Sequence, residues 1–211
     1  MDDFDIAQSK IGESAQRVVD RAIEESRRRD NALLTNEHIF LAFAQVEWDT
    51  FSQVMRDLEL NPHEILQALE EHLQVLPTFA GRELRVAPAT KLVFKLAFHQ
   101  ASRAGRQTIE SSDLFSAIFE ESQGVPVSII RRHGVEPEVL VTRIATRMRD
   151  NELREERLRK RFELPPFLKH FATNLNLLAR QDKIAPVYGR DHEIQDRKST
   201  RLNSSHVSES R

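Results

Sequence analysis

Apolar residues recur along this chain at the three- and four-residue intervals of an amphipathic α-helix. Four such stripes follow one another in the first third of the sequence. They are Val18, Val19, Ala22 and Ile23; Ile39, Phe40 and Phe43; Phe51, Val54, Met55 and Leu58; and Ile65, Leu66 and Leu69. This part of the chain is therefore predicted to form four short helices.

Helix-start signals stand ahead of the last three stripes. Asn36 is predicted to cap the second helix, which makes Glu37 its first helical residue. Asp49 or Thr50 is the predicted cap of the third helix. The segment Asn61–Glu64 is a stronger signal, because it places a capping side chain, a proline at the first helical position and a glutamate that completes a capping box in that order.

The same pattern returns 75 residues later. Residues 22–69 align with residues 97–144 without a gap, and the apolar positions coincide although only 6 of the 48 pairs are identical. The predicted fold is all-α, with two tandem four-helix repeats related by pseudo-twofold symmetry. The copies are expected at residues 14–73 and 89–148.

These copies are predicted to form one domain over residues 11–147. Residues 74–88 hold two prolines and a glycine and are predicted to be a loop between the copies. Residues 148–166 are mostly charged. We expect them to form a solvated helical linker supported by pairs such as Glu156 with Lys160.

Two sets of side chains are predicted to be structural. One is a group of phenylalanines at helical spacing, which we assign to the core: Phe40, Phe43, Phe51, Phe94, Phe98, Phe115 and Phe119. The other is the basic helix ends Arg27–Arg29 and Arg131–Arg132. They are interpreted as solvated, with pairing to an acidic partner protein as the alternative.

Composition excludes several classes of function. The chain has 31 basic and 33 acidic residues, and a formal net charge of −2 gives no general attraction to nucleic acid or to an anionic membrane. The absence of cysteine excludes disulfides and thiolate chemistry. The longest apolar run, Ile39–Val46, is too short to cross a bilayer, and the acidic start is unlike a signal peptide. We predict a cytoplasmic protein with no nucleic-acid or membrane partner.

Three segments resemble a known family. Thr35–Ala42 opens the second helix, while Leu58–Pro62 and His133–Pro137 stand at equivalent places in the two copies. Together they resemble the Clp N-terminal (Clp R) repeat domain of Hsp100/Clp AAA+ unfoldases. Residues 167–195 look like the start of the first AAA+ module, and the sequence Asn174–Asn176 favours a ClpA-like over a ClpC-like parent.

The resemblance implies a recognition function. Such a domain binds adaptor proteins and client proteins or degrons above a hexameric ATP-driven ring, which feeds the Clp peptidase. Glu37 would take part in binding an adaptor or a phosphoarginine-tagged client, and His38 would help to shape the same surface. A dipole-favoured surface glutamate and a capping-turn histidine remain the alternatives. Ser112 occupies the position equivalent to Glu37 in the second copy, which favours one working site or an adaptor role.

No nucleotide chemistry is expected from this chain. The phosphate-binding pattern G-x-x-x-x-G-K-[ST] is absent, so we predict no enzyme activity, and ATP and magnesium would belong to the full-length AAA+ parent. In the family the stretch formed by Val187, Tyr188, Gly189 and Arg190 lies against adenine, and here it would be one wall of an incomplete pocket. No metal site is predicted. The fragment is expected to be a monomer and the parent a hexamer.

The last residues are interpreted as artefactual. Back-translation of Asp196–His206 reproduces a common sequencing adapter, and we exclude residues 196–211 from functional reasoning. We accordingly expect the reading frame to be cut before the ATPase core. The alternative is a free-standing Clp-repeat module that binds proteins in a stress response.

Overall fold

The computed structural model describes residues 10–78, 84–120 and 124–161. Within these ranges the chain forms eight helices and two short strands: α1 (Glu13–Arg28), β1 (Leu33–Leu34), α2 (Asn36–Val46), α3 (Trp48–Asp57), α4 (Pro62–Gln74), β2 (Arg85–Val86), α5 (Pro88–Arg103), α6 (Ser111–Glu120), α7 (Val125–Arg132) and α8 (Pro137–Arg161). The predicted all-α class is confirmed. The chain divides into two compact units, one ending at Leu153 and the other beginning at Arg154.

The 75-residue repeat is visible in the helix bounds. Adding 75 to the bounds of α1 gives 88–103, which are the bounds of α5. The starts of α2, α3 and α4 map in the same way to within two residues of the starts of α6, α7 and α8. The two tandem four-helix repeats are therefore present as predicted.

A left-handed residue after the third helix also repeats between the copies. Glu59 follows α3 with φ +59°, and its counterpart Gly134 follows α7 with φ +81°. In each case the next residue closes the turn, with Leu60 N–H donating to Met55 O at 2.8 Å and Val135 N–H donating to Ile130 O at 3.4 Å. The first copy thus places a glutamate where the left-handed conformation favours glycine.

We expect Glu59→Gly to raise the free energy of unfolding by about 0.5 kcal/mol, because relief of left-handed strain exceeds the added chain entropy of glycine. The reciprocal change Gly134→Ala should lower it by about 1 kcal/mol. Urea unfolding at pH 7 measures both. A loss of stability in Glu59→Gly would contradict the strain at this turn.

Two parallel strand pairings interlock the repeats. Leu34 of β1 pairs with Val86 of β2, and Ile11 pairs with Ile109 in an isolated parallel bridge. The 75-residue relation converts one pairing into the other. The segment ahead of each first helix therefore pairs with the segment ahead of the second helix of the other copy. Residues 74–88, predicted to be a loop, thus contain β2.

The core lies between the two copies and is rich in aromatic rings. Phe40 and its counterpart Phe115 meet with ring centroids 5.6 Å apart at 72°. Phe43 lies 4.3 Å from Phe115, and Phe119 lies 5.4 Å from Phe40. All seven predicted core phenylalanines pack in the core, with Phe98 only partly buried. Equivalent residues thus contact each other across the pseudo-twofold axis.

Two predicted helix caps are wrong by a few residues. Thr35 is the N-cap of α2, so Asn36 is the first helical residue and Glu37 the second. The third helix begins at Trp48, before the predicted caps Asp49 and Thr50. The cap of α4 is confirmed, since the side chain of Asn61 accepts the His63 N–H at 3.1 Å.

The final helix does not break where its composition becomes charged. α8 continues to Arg161, and the Asn151 amide donates to Thr50 Oγ1 at 3.2 Å, so the charged part is still packed there. The predicted Glu156–Lys160 ion pair is confirmed at 2.7 Å. Among the described helices, none is both long and apolar enough to cross a membrane.

Candidate functional site

The parallel pairings place helix N-termini side by side in two pairs. α2 and α5 each begin two residues after the paired residues Leu34 and Val86. α1 and α6 begin two residues after the bridge between Ile11 and Ile109. We call residues 35–38 with 87–90 the α2–α5 corner, and residues 110–113 with 12–15 the α1–α6 corner. The two corners are related by the repeat.

Glu37 is the charged group of the α2–α5 corner. It is half-buried in the first turn of α2, and the first turn of α5 carries no acidic residue. Within the described part of the chain its carboxylate has no hydrogen bond or ion pair. Adjacent helix N-termini favour an anion there. The carboxylate is therefore available to an external cation or N–H donor.

His38 is buried beneath this turn. Its Nδ1 accepts the Thr35 N–H at 3.2 Å, so Nε2 carries the proton and donates to Asn31 Oδ1 at 3.0 Å. This arrangement completes the capping box of α2. A fully buried imidazole does not touch a partner, so His38 can shape a surface only by holding the turn. The binding role of Glu37 stays a prediction.

The charge state of His38 agrees with these hydrogen bonds. Burial, together with the nearby positive charge of Arg29, lowers the pKa of His38 to about 4, and Glu25 opposes this only in part. The ring is therefore neutral at pH 7, as an Nδ1 that accepts a backbone N–H requires. Within the described residues, Asn31 Nδ2 is a buried donor without a partner.

A second contact reaches the turn from the other repeat. Thr90, fully buried on α5, donates from Oγ1 to Asn36 Oδ1 at 2.9 Å. Sequence reasoning missed Thr90 because its partner lies 54 residues away and its repeat counterpart is Ala15, which has no hydroxyl. The first turn of α2 is thus fixed by both copies.

At the α1–α6 corner, an ion pair holds the first turn of α6, as the His38 hydrogen bonds hold the first turn of α2. Asp113, the counterpart of His38, accepts the Glu110 N–H at 2.8 Å and pairs with both Arg106 nitrogens at 2.6 and 2.7 Å. Arg106 is the counterpart of Asn31. The neutral Asn31–His38 hydrogen bond of the first copy therefore corresponds to the Arg106–Asp113 ion pair of the second. The 75-residue alignment already paired these positions.

Local side chains and close backbone packing fill the α1–α6 corner. The Ser111 N–H donates to Ser14 Oγ at 3.0 Å, and Ser14 in turn bonds to Glu110. A Cβ at Gly12 would lie only 2.9 Å from the carbonyl oxygen of Ile109, so this position requires glycine. Ser112 replaces Glu37 here. The two corners are equivalent in fold but not in chemistry.

At the basic end of α1, Arg27 and Arg28 are exposed as predicted, but Arg29 is less solvated than predicted. Glu25 is buried and forms ion pairs with Arg21 at 2.8 Å, Arg28 at 2.8 Å and Arg29. Burial opposes its ionisation, but hydrogen bonds from Arg29 and Gln45 and the charge of Arg28 outweigh burial and hold the pKa of Glu25 below its usual value. Arg29 thus has a structural role, because it pairs with the buried Glu25.

Two further predictions concern the nucleotide-binding wall and metal sites. The nucleotide-wall residues Val187, Tyr188, Gly189 and Arg190 lie outside the described residues. Over residues 10–78, 84–120 and 124–161, no group of His, Asp and Glu side chains is arranged to hold a metal ion.

Two interlocked four-helix repeats, with a glutamate at one corner whose carboxylate has no partner among the described residues, define a helical double-repeat domain. The chain belongs to the Clp repeat (R) N-terminal domain family, whose model matches residues 10–133. The resemblance drawn from the sequence is thereby confirmed.

Individual relatives agree with this assignment. The chain is 24% identical over 188 residues to the chloroplastic chaperone protein ClpC1 of Arabidopsis thaliana, covering 88% of this chain and 20% of that protein. It is equally similar to a chloroplastic ClpA homolog from Brassica napus, of which 22% is covered. The chain thus spans about a fifth of the length of these relatives.

Solved structures agree on the fold. The N-terminal domain of Hsp104 from Candida albicans superposes with a TM-score of 0.57 at 14% identity, covering 64% of this chain and 89% of that one. The N-terminal domain of ClpD from Arabidopsis thaliana gives 0.54 at 15% identity, covering 67% and 96%.

Proposed function

We propose that this domain recognises adaptor and client proteins for an ATP-dependent Clp unfoldase, and that the α2–α5 corner makes the contact. The observation that supports the proposal is the Glu37 carboxylate, which has no partner among the described residues and stands on a turn fixed by both repeats. A partner that presents guanidinium, ammonium or amide N–H groups would pair with it.

The ATPase ring and the peptidase of the proposed parent assembly would lie outside this domain. In the proposed parent, an AAA+ hexamer uses ATP and magnesium to unfold clients and passes them to the Clp peptidase. Val187–Arg190 would form part of its nucleotide pocket, and residues 148–166 would link the recognition domain to the ring. The domain itself would act without a cofactor and as a monomer. We propose the cytoplasm as its compartment, although two relatives are chloroplastic by name.

The test uses an unfolded cationic client, reduced and carboxamidomethylated lysozyme, titrated into the 15N-labelled full chain. We expect backbone shifts to concentrate at the first turns of α2 and α5. Glu37→Gln should weaken binding about fivefold, which corresponds to about 1 kcal/mol for a partly exposed charge pair.

The matched control is Glu138→Gln, since Glu138 is the second residue of α8 and carries the same charge at the same helix position. This variant should bind as the unchanged protein does. Equal weakening by both variants would mean that net charge alone attracts the client. That result, or a lack of binding, would refute recognition at the α2–α5 corner.

A further inference from the structure

One hydrogen bond between the repeats is present at the α2–α5 corner and has no counterpart at the α1–α6 corner. Thr90 on α5 donates to Asn36, the residue that precedes Glu37. In the other copy the counterparts are Ala15 and Ser111, and they form no such bond; instead the Ser111 N–H donates to Ser14 Oγ. The Thr90–Asn36 bond is therefore specific to the corner that carries Glu37.

The bond also joins two helices that are far apart in the sequence. Asn36 belongs to the first repeat and Thr90 to the second, and the hydroxyl of Thr90 is fully buried. A buried hydroxyl with one good acceptor fixes that acceptor's position, because leaving either group unpaired is costly. The Asn36 side chain is therefore held against α5, which restricts the first turn of α2 on which Glu37 stands.

We infer that Thr90 is a positioning residue of the second repeat that holds Glu37 of the first repeat in its binding position. This inference rests on the proposed recognition at the α2–α5 corner and adds to it a dependence on both repeats. Thr90 acts through Asn36 and does not touch the partner.

Thr90→Val tests the inference because it keeps the shape of the side chain and removes the hydroxyl. With the same unfolded lysozyme probe, binding should weaken about fivefold, as for Glu37→Gln. Thr90→Ser keeps the hydroxyl and should restore affinity to within twofold of the unchanged chain. Exchange of the Ile39 amide proton, which bonds to Thr35 O in the first turn of α2, should accelerate in Thr90→Val only.

Thr50→Val is the matched control for general destabilisation. Thr50 is also a buried threonine whose hydroxyl is hydrogen-bonded, in this case to Asn151 of α8. The Thr50→Val variant should leave binding unchanged at temperatures where all variants are folded. Equal loss of affinity in Thr50→Val, or unchanged affinity in Thr90→Val, would overturn the inference.

The double variant Glu37→Gln/Thr90→Val separates this inference from the proposed function. If Thr90 acts by holding Glu37, the double variant should bind no more weakly than Glu37→Gln alone. Additive losses would show that Thr90 acts elsewhere, which overturns the positioning role while recognition at Glu37 stands. An unaffected Glu37→Gln would instead refute the proposed function, and the inference would fall with it.

Discussion

Replacing Phe40 with alanine is expected to lower the free energy of unfolding by about 4 kcal/mol. The Phe40 ring is fully buried and contacts Phe51, Phe115 and Phe119 at centroid distances of 6.1, 5.6 and 5.4 Å. Its removal opens a cavity where the two repeats meet, so both copies lose packing at once. Urea unfolding followed by circular dichroism measures the change.

Phe98→Ala is the control, because Phe98 packs on the same core but is only partly buried. Phe98→Ala should lower the free energy of unfolding by less than half as much as Phe40→Ala does. A double-mutant cycle with Phe40→Leu and Phe115→Leu should show about 1 kcal/mol of coupling from the edge-to-face pair. If Phe40→Ala cost no more than Phe98→Ala, the aromatic contact between the copies would not be the centre of the core.

Lowering the pH from 7 to 4 is expected to remove about 3 kcal/mol of stability through His38. Its pKa is about 4 in the folded chain and 6.5 in the unfolded one. Between these values the unfolded chain takes up a proton that the native chain excludes, so unfolding is favoured as pH falls. The contribution is complete above pH 6.5 and lost by pH 4. Glu25, whose pKa is also lowered, adds a further loss of stability at still lower pH.

His38→Gln should flatten this profile, because glutamine still offers an oxygen to the Thr35 N–H but does not titrate. The stability difference between pH 7 and pH 4.5 should fall by about 2 kcal/mol relative to the unchanged chain. The control substitution is His99→Gln, which removes an exposed imidazole from α5. An unchanged slope in His38→Gln would show that other groups control the acid response.

The helix pattern was predictable because it depends on local chemistry. Apolar spacing and the Asn61–Pro62 start signal located the helices, and the 75-residue alignment paired them into two copies. The errors were also local. Thr35 rather than Asn36 caps α2, since the buried His38 supplies the second half of the capping box in place of the usual glutamate or glutamine.

The candidate site was predictable only in part. Glu37 was singled out through a family resemblance, and its carboxylate, which has no partner in the described part of the chain, is compatible with binding. His38 was grouped with it, but burial turns its side chain inward to Asn31. The link from Asn31–His38 to Arg106–Asp113 was implicit in the repeat alignment. It was not recognisable beforehand, because the residue types change while the geometry stays the same.

The sequence by itself determined the all-α class, the helix order and the double repeat, because these follow from periodicity and from residues close together in the chain. Only the tertiary structure decided how the copies interlock through Leu34–Val86 and Ile11–Ile109, and that Thr90 reaches Asn36. Two-residue strand pairings and a single buried hydroxyl leave no periodic signal. They form when burial of the shared aromatic core brings the two copies together.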